Sequence, residues 1–269
     1  MNNSGGKTPY PEKIALPQSA GYGPAAIAIT PQPAAVKPAF YLSPVTCAGK
    51  LPAKTNGRKN NLLHKESLFI IRRGEITHVV SEDYSYKTDT YYTILQKEME
   101  GMKIHPSSGA VIDAFVVPIC LERAKLAGIP ACEWEISQGY VPLPAIIYGL
   151  NYFATTAEYI TVYDNEGAKE AVRHFTNKGK YPFCYQKLGE DAKICECTVI
   201  FGKTSGEDDA VAEIAGKIYD LFSIPLFRMV LVKNGNHSAL SSLSPARYSH
   251  MTDNERVILE AYLSHQEFL

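Results

Sequence analysis

Residues 208–243, DDAVAEIAGKIYDLFSIPLFRMVLVKNGNHSALSSL, decide the fold class. Asp208 or Asp209 is placed to cap a helix, because a short carboxylate accepts hydrogen bonds from amides that a first helical turn leaves unpaired. Val211, Ile214, Ala215, Ile218 and Leu221 then recur at spacings of three and four, which gathers them on one buried stripe. Leu226 to Val232 is an apolar run with the composition of a strand. Asn234-Gly235 is the dipeptide preferred in a two-residue hairpin turn, where the backbone must enter positive φ. Ser238 to Leu243 carries the chain back. A helix that feeds a strand hairpinned onto its neighbour excludes a purely doubly wound architecture.

Outward from this stretch the same signals repeat. Thr252-Asp-Asn-Glu255 is a capping box that opens a last helix running to about Leu263. Phe183 to Leu188 and Ile194 to Phe201 are expected as two strands around the polar turn Gly189-Glu-Asp191. Asn165 to Thr176 is expected as a helix with Ala168, Val172 and Phe175 on one side. Residues 139–163 are aromatic and interrupted by prolines, and yield no clear element. A strand over Ala131 to Ile136 would bury Trp134 and expose Glu133 and Glu135. Ser107 to Phe115 and Pro118 to Ala127 are helical in pattern, the second closed by Gly128-Ile-Pro130. Thr90 to Glu100 is expected as a helix buried along Tyr92, Leu95 and Met99 and ended by Gly101. Met102 to His105 is then a short strand stopped by Pro106. Leu68 to Ile71 and Ile76 to Val80 form a hairpin through Gly74. The fold class is therefore α+β, or mixed α/β: a mixed sheet with hairpins, flanked by helices.

Residues 1–62 differ in composition. Residues 1–40 are rich in Pro, Gly and Ala and are expected as an N-terminal arm, and 48–62 as a basic loop. Lys50, Lys54, Arg58 and Lys59 have the charge to touch phosphate, but a solvated loop is the favoured reading. Residues 63–269 are expected to form a single α+β domain. A net charge of −1 gives no drive toward nucleic acid or an anionic membrane, and neither is expected as a partner. With no long apolar run and no signal pattern, the expected location is cytoplasmic. There the six cysteines (Cys47, Cys120, Cys132, Cys184, Cys195, Cys197) serve as small buried hydrophobes, not as a disulfide framework.

The candidate site is Tyr84-Ser-Tyr86-Lys-Thr-Asp-Thr-Tyr91-Tyr92, four tyrosines at a strand-to-helix junction. Tyr84 and Tyr86 share a side if the strand continues through them. Tyr91 and Tyr92 open a helix whose first amides attract a carboxylate. Phenols and amides together suit the end of a peptide or an amino acid, with core packing as the competing reading. Glu82 and Asp83 add acidity suited to an amine. His105, at a strand end, is the histidine best placed to line a cleft. Cys195 and Cys197 share a strand face, and with Cys184 and His174 offer metal-ligand atoms. Zinc sites use two paired motifs at tighter spacing, so no metal is expected. Phe201-Gly-Lys-Thr204 resembles the end of a phosphate-binding loop. Cys197 stands where that loop needs glycine, and the next helix starts too late, so no nucleotide cofactor is expected. No Gly-x-Ser-x-Gly elbow occurs.

Residues 79–106, VVSEDYSYKTDTYYTILQKEMEGMKIHP, resemble the RimK-like ATP-grasp N-terminal domain family. The family pattern is a strand, a Tyr-x-Tyr pair, a double Tyr five residues on, a helix, a Gly and a Pro. Tyr84, Tyr86, Tyr91, Tyr92, Gly101 and Pro106 stand in that register. Thr90 replaces a frequent glycine, and Glu82-Asp83 precede the first Tyr where Cys or Arg is common. Val199-Ile-Phe-Gly202-Lys-Thr204, the helix 208–222, Pro225-Leu-Phe-Arg228, Ser242-Leu-Ser-Pro245 and the acidic terminal helix extend the likeness to roughly residues 65–265. Such domains usually precede an ATP-grasp ligase, which joins a carboxylate to an amine through an acyl phosphate. The chain ends soon after the likeness does. The resemblance therefore implies a stand-alone member that binds a peptide or amino acid, or docks on a separate ATP-grasp ligase, without catalysis of its own. The alternatives are a stand-alone small-molecule enzyme centred on Tyr84, Tyr86, Tyr91 and His105, and a structural subunit, such as a homo-oligomer, whose arm reaches into a neighbour.

Overall fold

Gly74, at φ +55°, opens the turn that folds β1 (Leu68–Arg73) back onto β2 (Ile76–Ser81) as an antiparallel hairpin. The computed structural model describes residues 63, 67–151, 158–235 and 237–264, all within the unit formed by 43–269. The proline-rich arm, the basic loop with Lys50, Lys54, Arg58 and Lys59, and Cys47 lie outside the described residues. After β2 the chain forms α1 (Asp89–Met99), whose first turn is capped by the Thr88 hydroxyl accepting from the Tyr91 amide. The C-cap Glu100 and Gly101 at φ +79° end it. β3 (Ile104–His105) joins β2 in parallel, so the first sheet is mixed, in the order β1-β2-β3.

α1 corrects one expectation. Its buried residues are Thr90 and Ile94, whereas Tyr92 and Met99 are 59% and 81% exposed. The helix carries apolar groups on two sides, and the Ser81–Thr90 hydroxyl bond, at 2.9 Å, selects the side that faces β2.

α2 (Ser108–Phe115) and α3 (Val117–Leu126) follow, the first capped by Ser107. β4 (Glu135–Ser137) starts later than its sequence suggests. Trp134 stands ahead of it, half-buried at the edge of the core, and donates its indole N–H to Glu122 at 2.9 Å. The stretch that gave no clear reading contains β5 (Ala145–Gly149) and β6 (Tyr159–Val162), an antiparallel pair. α4 (Asn165–Phe175) covers them, burying Ala168, Ala171 and Phe175.

β7 (Phe183–Lys187) and β8 (Lys193–Ile200) do not pair with each other. β7 is an inner strand of a four-stranded sheet, β4-β7-β5-β6, while β8 lies at the edge of a different sheet. α5 (Asp209–Phe222) is capped by Asp208 and buries Val211, Ile214, Ala215, Ile218 and Phe222. β9 (Leu226–Asn234) and β10 (His237–Ser244) form the expected hairpin, with β8 antiparallel on the other side of β9. α6 (Asp253–Ser264) closes the described chain behind its capping box, in which the Glu255 amide donates to Thr252 and the Thr252 amide to the Glu255 carboxylate. The fold is thus α+β, with helices laid on three sheets. Among the described residues, no helix is long and apolar enough to cross a membrane.

β8 ends in a two-residue turn at Phe201 (φ +48°) and Gly202 (φ +75°), closed by reciprocal Ile200–Lys203 backbone bonds of 2.8 and 2.9 Å. This stretch, which resembled a phosphate loop, is a strand-ending turn. A Cβ on Gly202 would lie 3.1 Å from the Cβ of Tyr219, whereas one on Gly74 would meet nothing within 4 Å. Gly74→Ala is therefore expected to cost only the left-handed strain, about 1–2 kcal/mol. Gly202→Ala adds overpacking against Tyr219 and is expected to cost about 1 kcal/mol more. Urea denaturation of the two variants measures the difference, and equal losses would contradict it.

Candidate functional site

β2 ends at Ser81, and the following loop folds Tyr84 back beneath the strand. The Tyr84 hydroxyl donates to the Val79 carbonyl and accepts from the Ser81 amide, both at 3.1 Å. Its ring stacks on Phe115 at 6.4 Å and is wholly buried. Burial raises its pKa well above that of a free phenol, so the hydroxyl keeps the proton it donates. Tyr84 is a packing residue with both hydroxyl functions used.

The rest of the loop is held by short polar bonds. Asp83 accepts from the Ser85 amide at 2.8 Å, and the Thr88 hydroxyl donates to the Ser85 carbonyl at 2.8 Å. The loop leaves Tyr86 41% exposed, so Tyr84 and Tyr86 do not share a side. The Lys87 ammonium lies 5.6 Å from the Tyr86 ring centre. Tyr91 packs partly into the core and meets exposed Tyr92 edge-on at 5.7 Å. The Tyr91 amide is taken by Thr88 and the first turn carries Asp89, which opposes an anion at this helix start. The exposed tyrosine surface is therefore Tyr86 and Tyr92, with the edge of Tyr91.

His105 lies elsewhere. It pairs with His78 across β3 and β2, and the two rings meet edge-on at 5.4 Å. His78 also contacts Phe201 at 5.8 Å, in the core on the other face of the sheet from Tyr84. Successive residues of a strand point to opposite faces, so Val79 serves the tyrosine side and His78 the other. The sheet therefore separates His105 from the tyrosines. Burial, then His105, then Arg73 lower the His78 pKa from 6.5 to about 4, and burial lowers that of His105.

Two polar networks were not read from the sequence. The Tyr148 hydroxyl donates to Ser241 Oγ at 2.6 Å, Ser241 Oγ donates to Gln186 at 2.6 Å, and Gln186 donates back to the Ser241 carbonyl at 2.7 Å. Nearby, Glu196 accepts from the Tyr159 hydroxyl at 2.7 Å and from Arg228 at 3.0 Å. Charged residues inside the apolar runs 194–201 and 226–232 were the available signal for the second network.

Four of the thiols are chemically quiet. Burial pushes Cys132 and Cys184 up to about 12 and raises Cys120 and Cys197 further, so these sulfurs stay protonated and poorly nucleophilic. Among the described residues, no group of three or more His, Cys, Asp or Glu side chains is arranged to hold a metal ion.

Residues 162–262 match the RimK-like ATPgrasp N-terminal domain family. The match spans β6 to α6 and contains the second stretch of the resemblance, and the tyrosine segment 79–106 lies outside it. The structural neighbours are ATP-grasp ligases. D-Alanine-D-Alanine Ligase from Helicobacter pylori aligns with a TM-score of 0.49 at 13% identity, over 64% of this chain and 65% of that chain. The alignment thus spans less than two thirds of that ligase. A RimK domain protein ATP-grasp from Sphaerobacter thermophilus gives 0.49 at 12% identity, over 67% and 76%. The ATP-grasp ligase PsnB complexed with minimal precursor, Mg and ADP gives 0.47 at 14%, over 67% and 68%. No curated protein matches the chain.

Two outcomes are expected. Tyr84→Ala should cost about 3–5 kcal/mol by removing a buried ring, while Tyr86→Ala and Tyr92→Ala should each change stability by about 0.5 kcal/mol or less. Chemical denaturation of the three variants checks this. His78 is neutral in the folded chain and takes a proton near 6.5 once exposed. Its contribution is fully present above pH 6.5 and is lost as pH falls from 6.5 toward 4, by up to about 3 kcal/mol. In denaturation series between pH 7 and 5, His78→Gln should flatten the slope, and an unchanged slope would assign the loss to other groups.

Proposed function

We propose that this chain is a recognition or docking domain serving ATP-grasp carboxylate–amine ligation, with no bond-forming step of its own. The observation that carries the reading is the match of residues 162–262 to the RimK-like ATPgrasp N-terminal domain family. Several groups that could act as nucleophiles are occupied elsewhere. The thiols of Cys120, Cys132, Cys184 and Cys197 are held protonated, and the phenols of Tyr84 and Tyr148 are bonded into the interior. Apolar and aromatic side chains remain on the surface. Tyr86 and Tyr92 offer flat rings with polar tips, the side chains best suited to hold a peptide end or a partner face at small entropic cost. Lys87 beside Tyr86 supplies positive charge for a carboxylate. On this reading the protein works in the cytosol, where its thiols stay reduced.

The test is affinity purification of the tagged full chain from its native extract, with identification of what comes with it. An ATP-grasp ligase is expected, and Tyr86→Ala combined with Tyr92→Ala should lower its recovery about tenfold without changing the melting temperature. The full chain alone, given ATP, Mg2+ and amino acids, should release no ADP. ADP release accompanied by an amide product would overturn the reading in favour of an independent enzyme.

A further inference from the structure

The surface at the C-terminal end of α4 carries a second binding feature, one that does not depend on the ligase reading. A shallow, open depression of about 360 Å3 is lined by Lys169, Val172, Arg173, Thr176, Lys178 and Gly179, together with Gly139. Lys169, Arg173 and Lys178 are exposed, and among the described residues none of them forms an ion pair. The acids of the same helix, Glu166 and Glu170, do not line the groove. Three cations therefore line one depression, with Glu166 and Glu170 outside its lining.

The backbone holds the third cation there. After α4 ends, Asn177, Lys178 and Gly179 take φ of +49°, +60° and +84° in succession. This reversal is fixed by the Lys178 amide donating to the Arg173 carbonyl at 2.9 Å and the Gly179 amide donating to the Thr176 hydroxyl at 2.7 Å. A lysine in the left-handed region is uncommon, and here it brings Lys178 back beside the last turn that carries Arg173.

We infer that this groove binds an acidic peptide segment in extended conformation. Lys169 and Arg173 are four residues apart, which sets them about 6 Å from each other along the helix axis. An extended chain places alternate side chains about 7 Å apart on one side, so carboxylates at every second residue match the row of cations. Half-buried Val172 gives the floor an apolar spot for the peptide's intervening atoms. The lining contains no aromatic ring on which a base could stack, which favours a peptide over single-stranded nucleic acid.

The experiment is fluorescence anisotropy of the full chain with a labelled peptide of alternating glutamate and serine, against the same peptide with glutamine for glutamate. Saturable binding of the glutamate peptide is expected, weakened by added salt, with the glutamine peptide bound about tenfold less tightly or worse. The triple variant Lys169→Gln/Arg173→Gln/Lys178→Gln should lose about tenfold in affinity with an unchanged melting temperature. The charge-reversed variant Lys169→Glu/Arg173→Glu/Lys178→Glu should instead take up a lysine–serine peptide. Equal binding of both peptides, affinity untouched by the triple substitution, or tighter binding of oligothymidylate would each overturn the proposal.

Discussion

β2 is buried on both faces, and the arrangement of the chain follows from that. From Thr77 to Ser81 every residue is shielded from solvent. Thr77, Val79 and Ser81 serve the side on which Tyr84, α1 and α2 pack, whereas His78 and Val80 serve the side closed by Phe201, Tyr248 and α6. A strand in that position cannot slip by one residue, because a slip would exchange both sets at once. The register of β1 and β3, the fold-back of Tyr84 and the separation of His105 from the tyrosines all follow from it.

Elements with local punctuation were legible in the sequence. The caps at Asp208 and Thr252 and the glycine at 74 each specify a boundary by short-range chemistry, and the structure has those boundaries; the β9–β10 hairpin forms as well, but Asn234 stays in β9 opposite His237 and only Gly235 of the expected pair enters the turn. What was not legible depended on partners distant in sequence. β7 and β8 are strand-like on their own, but nothing near Gly189 shows that the chain passes from one sheet to another there. α1 carries two apolar stripes, and only its contact with Ser81 selects between them. The tyrosine motif looked like one site because its residues are close in sequence. The structure spends Tyr84 on the interior, presents Tyr86 and Tyr92, and puts His105 behind the sheet.

Polar groups in the interior connect sheets. Tyr148 and Gln186 belong to the four-stranded sheet and Ser241 to β10, so their bonds fasten one sheet to the next. Glu196, Arg228 and Tyr159 repeat the arrangement between β8, β9 and β6. Such networks add little net stability over apolar packing, but removing one member strands the rest, so they define a single way for the sheets to meet. This joins the region matched to the family, residues 162–262, to strands that lie before it in the chain.

The join between Tyr248 and the first hairpin bears on how the protein is made. The Tyr248 amide donates to the Glu82 carboxylate at 3.0 Å and its hydroxyl to the Ser67 carbonyl at 3.1 Å, while Arg256 donates to the Tyr248 carbonyl. These contacts close loops of more than 160 residues, the kind of ordering that is reached slowly. During synthesis, β1 and β2 emerge long before Tyr248 and must wait with one face uncovered. The native packing of that face becomes available only once residues 248–256 have cleared the ribosome.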